Sequence, residues 1–181
     1  MKTLLASVLV VLLGLTSTHS ANAESPETLT LAGTEMQKQG EGVRRKFMVP
    51  LYDIALYTVE GQDKETLVSE TISPMALRLE VRSSLVSTAL FTEAVLDGFK
   101  KYERYEEVEQ VVADYLDQFV EELVEDDVYT VFNDPTRGVI TYRNGEEYIL
   151  VEDPLFKEGM FGIWLGERPV NRRLKRNLLG S

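Results

Sequence analysis

Hydrophobic and polar positions along this chain follow two rhythms, a period of two near both sheet-like ends and a period near 3.6 between and after them. Leu29 and Leu31 alternate with Thr28 and Thr30, as in a half-buried strand. A Gly-containing polar stretch, Gln37 to Gly42, leads into the apolar segment Val43 to Val59, which carries Phe47 and has Pro50 in its interior. Proline cannot donate to a ladder, so this segment is expected to split there into two strands or to bend at a bulge. Met75, Leu77, Leu79 and Val81 alternate with Ala76, Arg78, Glu80 and Arg82, giving an amphipathic strand.

The rhythm then changes. Ser87 or Thr88 is placed to cap a helix whose stripe runs Phe91, Ala94, Val95, Gly98 and Tyr102. A second helix is expected from Val108 to Leu123, with Val112, Tyr115, Phe119 and Val120 at three- and four-residue spacing. Val128 to Asn133 and Gly138 to Arg143 flank the turn Asp134-Pro135-Thr136-Arg137, and Asn144-Gly145 links Val139–Arg143 to Glu147–Val151 as a hairpin. Pro154 opens a helix through Trp164, stopped by Gly166, and Pro169 opens a last one carrying Val170, Leu174 and Leu178. With hairpins and no βαβ rhythm, the fold class is α+β, a largely antiparallel sheet with helices gathered over one face.

The N-terminus belongs to none of these elements. A short basic start, an apolar run from Leu4 to Leu15 and Ala21-Asn22-Ala23 read as a signal peptide over residues 1–23, cleaved after Ala23. A retained N-terminal anchor is the alternative, though the run is too short to span a bilayer. Residues 24–181 then form one domain with a periplasmic or secreted address and no stable membrane insertion. The chain has no Cys, and its one His, His19, lies in the signal segment. The mature protein would therefore lack the groups for Ser-His-Asp or Cys-His catalysis, ordinary zinc sites and His-ligated haem. No metal or cofactor is expected; a haem would need an axial Tyr or Met. A formal net charge of -11 argues against a nucleic-acid partner.

Charge is unevenly spread. Eleven of the 30 acidic residues lie between Glu103 and Asp127, as a solvated helix face would place them. Arg172, Arg173, Lys175 and Arg176 suit the dipole of a terminal helix, or form a patch for anionic lipid or an acidic partner.

Four passages together resemble the bacterial chalcone isomerase-like proteins, relatives of plant chalcone isomerase and of fatty-acid-binding proteins with that fold. They are Gly42 to Lys46 followed by Tyr52 to Tyr57; Phe91 to Val95; the Asn144-Gly145 hairpin; and Gly162 to Gly166 with Pro169-Val170 and a closing Leu178-Leu179-Gly180. The resemblance implies an open-faced sandwich, one large antiparallel sheet covered on one face by helices, with a ligand cleft between them. In the plant enzymes an Arg holds the substrate phenolate, a Thr and a Tyr polarise the ketone through water, and an Asn helps fix the far end. Arg44 stands at the Arg position and Tyr52 at that of the ketone-side Thr. Phe91 replaces the helix Tyr, Gly98 replaces the Asn, and no Thr follows Thr141. Lost donors of this kind typically cost ~2.7–4 kcal/mol each in transition-state stabilisation.

The resemblance thus implies a ligand-binding set of Arg44, Tyr52, Tyr57, Phe91, Val95 and Gly98, with Arg44 as the single cation in an otherwise apolar cleft. Arg suits bidentate capture of a carboxylate. The leading expectation is non-catalytic binding of a small hydrophobic or amphipathic ligand such as a fatty acid. Arg44 and Tyr52 are the catalytic candidates if the chain is instead an intramolecular lyase or isomerase, and a protein-interaction module of unknown partner is the third reading. Bland alternatives stand beside each residue. Arg44 could pair with Glu80, Tyr52 and Tyr57 could be ordinary sheet aromatics, and Phe91, Phe99, Phe161 and Trp164 could be core. Arg45 and Lys46 are expected to face solvent.

Overall fold

Alternation in the N-terminal half builds a meander. In this computed structural model, which describes residues 25–181 except positions 47, 65, 70 and 71, β1 (Thr28–Leu31), β2 (Thr34–Lys46), β3 (Val49–Thr58) and β4 (Met75–Val81) precede two helices. These are α1 (Thr88–Phe99) and α2 (Tyr105–Leu116). Then come β5 (Val128–Asp134), β6 (Gly138–Arg143), β7 (Glu146–Val151), α3 (Pro154–Leu165) and α4 (Arg172–Leu178). The signal-peptide reading of residues 1–23 lies outside the described residues.

All seven strands join one antiparallel sheet in chain order, β1 to β7. Asn144 and Gly145, at φ 52° and 88°, make the two-residue turn of the β6–β7 hairpin. Register aligns the side chains in rows. Leu56, Leu77, Val131, Thr141 and Ile149 pair across five strands and face the helices. The adjacent row, Tyr57, Ala76, Phe132 and Ile140, turns to the other face. There the curled sheet gathers a second cluster that brings in Met36. Residues before β1 lie on that second face. Tyr57 donates its hydroxyl to the Pro26 carbonyl at 2.7 Å, and Lys38 Nζ donates to the Ser25 carbonyl at 2.9 Å.

The helical layer is organised around α3, buried on almost every side. Asp153 caps it by accepting from the Leu155 and Phe156 N–H groups, with Pro154 at the first position. Its one buried cation, Lys157, donates to the carbonyls of Leu67 and Val68. Two glycines let α1 and α3 meet: a Cβ at Gly98 would lie 2.8 Å from Ile163, and one at Gly159 2.5 Å from the Phe99 ring.

Three expectations are revised, and the split expected at Pro50 is met just ahead of it. The polar stretch Gln37 to Gly42 is strand, the middle of β2. Its glycines face α4, where a Cβ at Gly40 would strike the Asn177 carbonyl and one at Gly42 would strike Leu174. The chain reverses between β2 and β3, before Pro50, and the register shift at Arg44/Arg45 falls opposite that proline. The second helix stops at Leu116. Beyond it Thr88 Oγ1 accepts from the Leu123 N–H and donates to the Glu121 carbonyl, so α1 holds the following segment as loop. The last helix starts at Arg172, capped by Asn171, three residues beyond Pro169.

Candidate functional site

Arg44 on β2 and Tyr52 on β3 are direct cross-strand partners, at the sheet end where the chain also passes from β4 into α1. Their side chains rise on the helix-facing side into a cleft of about 310 Å³. Leu90, Phe91, Ala94, Val95 and Gly98 of α1 form one wall, Ile163 and Trp164 of α3 another, and Leu51, Leu85, Val86 and Val170 complete it. Ser87 holds α1 in register by accepting from the Leu90 N–H.

The polar groups converge at Tyr52. Trp164 Nε1 donates to the Tyr52 hydroxyl oxygen at 3.0 Å, and the Arg44 guanidinium lies alongside, with one nitrogen donating to the Arg45 carbonyl at 2.6 Å. Burial pushes the Tyr52 phenol above its ordinary value, against the opposing influence of the Trp164 and Arg44 hydrogen bonds and the guanidinium charge. It therefore stays protonated. Indole and guanidinium can only donate, and among the described residues nothing accepts from the Tyr52 hydroxyl. The site is a cluster of donors that suits an acceptor oxygen.

At its inner end the cleft is closed by aromatic packing. Phe91 stacks on Tyr129 with centroids 5.8 Å apart and meets Phe119 at 5.6 Å. Behind it lies a void of only about 10 Å³, next to the hydrogen-bonded hydroxyls of Tyr115 and Thr141, 3.1 Å apart. At the open end Lys46 and Lys101 join Glu93 and Asp97 on the rim.

Of the six residues in the expected ligand-binding set, the fold brings five, Arg44, Tyr52, Phe91, Val95 and Gly98, to this cleft. Tyr57 is the exception. It lies five positions beyond Tyr52, an odd step, so strand alternation puts it on the opposite face, fully buried and bonded to Pro26. The alternative pairing of Arg44 with Glu80 fails for the same reason. Glu80 belongs to that other face and is held by Arg78 at 3.1 Å and Arg82 at 3.3 Å. Gly98 is small because Ile163 of α3 leaves no room for a side chain, so a packing demand empties the position the plant pattern fills with Asn.

Two parts of the site exceed the sequence expectation. Arg44 is not the only cation: Lys46, exposed as expected, and Lys101 also line the rim. The even spacing from Arg44 to Lys46 already signalled one shared face. Trp164, weighed as core, supplies the indole donor; a buried Trp generally needs a partner for its N–H, which is the signal that marks it.

The pattern of the family described as chalcone isomerase-like matches residues 17–180. Among solved structures the chain is similar to a crystal structure of an Arabidopsis thaliana fatty-acid binding protein. The TM-score is 0.63 at 13% identity, over 84% of this chain and 96% of that one. No curated protein matches the sequence.

Proposed function

We propose that the chain, which belongs to the chalcone isomerase-like family, binds a small amphipathic acid, such as a fatty acid, and does not convert it. The observation that carries this reading is the Tyr52 hydroxyl, which has no acceptor among the described residues and sits between two groups that can only donate. A carboxylate would accept from Arg44 and Tyr52 together, and the walls of Leu51, Leu90, Val95 and Ile163 would take the apolar body. The volume falls at the small end of the ~300–1,000 Å³ typical of small-molecule sites. A likeness in fold to a fatty-acid binding protein agrees with such a ligand.

Turnover is disfavoured by what the cleft lacks. Cyclisation of an enone needs donors aimed at the developing enolate. Phe91 offers a hydrocarbon ring where the resemblance expects a hydroxyl, and Gly98 offers nothing. We further infer that the working form is residues 24–181, exported after cleavage at Ala23. Support for this comes from the N-terminal sequence alone; no helix among the described residues is long and apolar enough to cross a membrane.

The test is calorimetric titration of residues 24–181 with dodecanoate and with dodecanol. Dodecanoate should bind one-to-one, and Arg44→Ala should weaken it by roughly 10- to 100-fold, since a hydrogen bond to a charged group contributes ~1.5–3 kcal/mol. Equal affinity for acid and alcohol, or an indifferent Arg44→Ala variant, would overturn the reading.

A further inference from the structure

We propose that the mouth of the cleft, with the adjoining face of α4, docks on an anionic lipid bilayer. Two independent features of the surface meet there. One is apolar: Leu85 in the β4–α1 loop is 65% exposed, Leu90 in the first turn of α1 is 51% exposed, and Met48 at the β2–β3 turn is 88% exposed. The first two line the cleft itself, and Met48 follows closely on Lys46, which also lines it. Leu85 and Leu90 come from one segment leading into α1, and Met48 comes from the distant β2–β3 turn.

The other feature is charge. Lys46, Lys101, Arg168, Arg172, Arg173 and Arg176 are exposed and have no carboxylate partner among the described residues. Most belong to the flank built by β2 and α4. There Leu174 seats α4 against Gly42, and Val170, just ahead of α4, lines the cleft. Unpaired cations gathered on one flank of a chain whose net charge is -11 give the molecule a directed field. Of the acids at the same end, Glu93 and Asp97 sit on the cleft rim facing these cations. Glu121 and Asp127 lie beyond α1 on the β5 side, engaged by Arg143, and Glu122 is engaged by Thr88.

Cations beside protruding apolar side chains match a lipid interface, where headgroup phosphates meet the former and acyl chains the latter. An acidic protein surface would satisfy the arginines but leave Met48, Leu85 and Leu90 in water. Docking in this orientation opens the cleft onto the bilayer, so an amphipathic acid would pass between lipid and protein without crossing water. Only that cargo rests on the binding function proposed above; the docking does not.

Flotation of residues 24–181 with vesicles tests the idea. The protein should float with phosphatidylglycerol–phosphatidylethanolamine vesicles at low salt, release at high salt, and ignore phosphatidylcholine vesicles. Reversing Arg172, Arg173 and Arg176 to Glu should cut partitioning by at least about 100-fold, given about five-fold for each cation lost near an anionic surface and added repulsion from each new carboxylate. Dodecanoate affinity should be unchanged in that variant, since none of the three lines the cleft. Met48→Asp, at a fully solvated site, should weaken flotation without unfolding the chain. Absence of flotation at low salt, or a triple variant that floats like the parent, overturns the proposal. Retention on poly-glutamate beads without flotation overturns it in favour of an acidic protein partner. Flotation without dodecanoate binding would instead remove the cargo and leave the docking standing.

Discussion

Tyr52 and Trp164 divide a task that neither could perform alone. The indole occupies the phenol oxygen, which leaves the hydroxyl able to donate to an acceptor that enters beside Arg44. Trp164→Phe should therefore destabilise the fold by about 1–3 kcal/mol in urea, the cost of an unsatisfied buried acceptor. A variant as stable as the parent would mean the bond contributes nothing. Asp127 is the other residue whose environment makes a sharp prediction. Burial alone would raise its carboxyl, but hydrogen bonds from Asn144, the Val124 N–H and Arg143 outweigh it and hold the group below the usual value. A depressed folded value means stability that is present above about pH 4 and is lost as pH falls through the folded value. Asp127→Asn should cost roughly 3 kcal/mol at pH 7. The gap from the parent should close on acidification below pH 4, read by denaturation at several pH values.

At the scale of elements, glycine decides where pieces may touch. β2 carries Gly40 and Gly42 because α4 lies directly on them, with backbone atoms of Asn177 where a Gly40 side chain would go. Gly40→Ala should undock α4. The measurement is limited trypsin digestion, with cleavage at Arg172 and Arg173 accelerating several-fold while the rest of the chain resists. α1 and α3 show the same constraint with a side chain in place of backbone, since Gly98 faces the β-branched side chain of Ile163. Gly98→Asn, which would restore the polar residue of the plant pattern, should cost about 1–3 kcal/mol through overpacking. It should also fail to create turnover, because Phe91 remains without a donor.

For the whole molecule, the sheet separates two apolar environments. One lies under the helices and includes the cleft; the other, on the far face, is built from Met36, Ala55, Tyr57, Ala76, Phe132 and Ile140 and is crossed by the chain before β1. Their independence can be measured with two conservative changes. Tyr57→Phe should lower stability by about 0.5–1.5 kcal/mol through loss of the bond to Pro26, with dodecanoate affinity intact. Tyr52→Phe should weaken dodecanoate several-fold and also cost about 1–3 kcal/mol of stability, because it leaves the Trp164 N–H without its partner. Equal effects of both on binding would show that the sheet does not insulate its faces.

Much of this architecture is written in local periodicity. Alternation in Met75–Val81, the Asn144-Gly145 turn, the Ser87 and Asp153 caps and the stripe of α1 each report one segment's relation to its own axis. That is enough to specify an antiparallel sheet with helices on one side. Alternation even carried the correct side for Tyr57, since an odd step from Tyr52 within one strand reverses the face. What local pattern cannot carry is the identity of the partner. Gln37 to Gly42 is polar and glycine-rich, yet becomes strand because β3 pairs with it and α4 needs its missing side chains. Apolar spacing continues past Leu116, yet the helix ends because Thr88, some thirty residues away, takes the Leu123 N–H. Trp164 reads as core until Tyr52 is seen beneath its indole. Hydrogen bonds and close contacts between distant residues form only after the chain has collapsed, and in these three places they overrule the local signal.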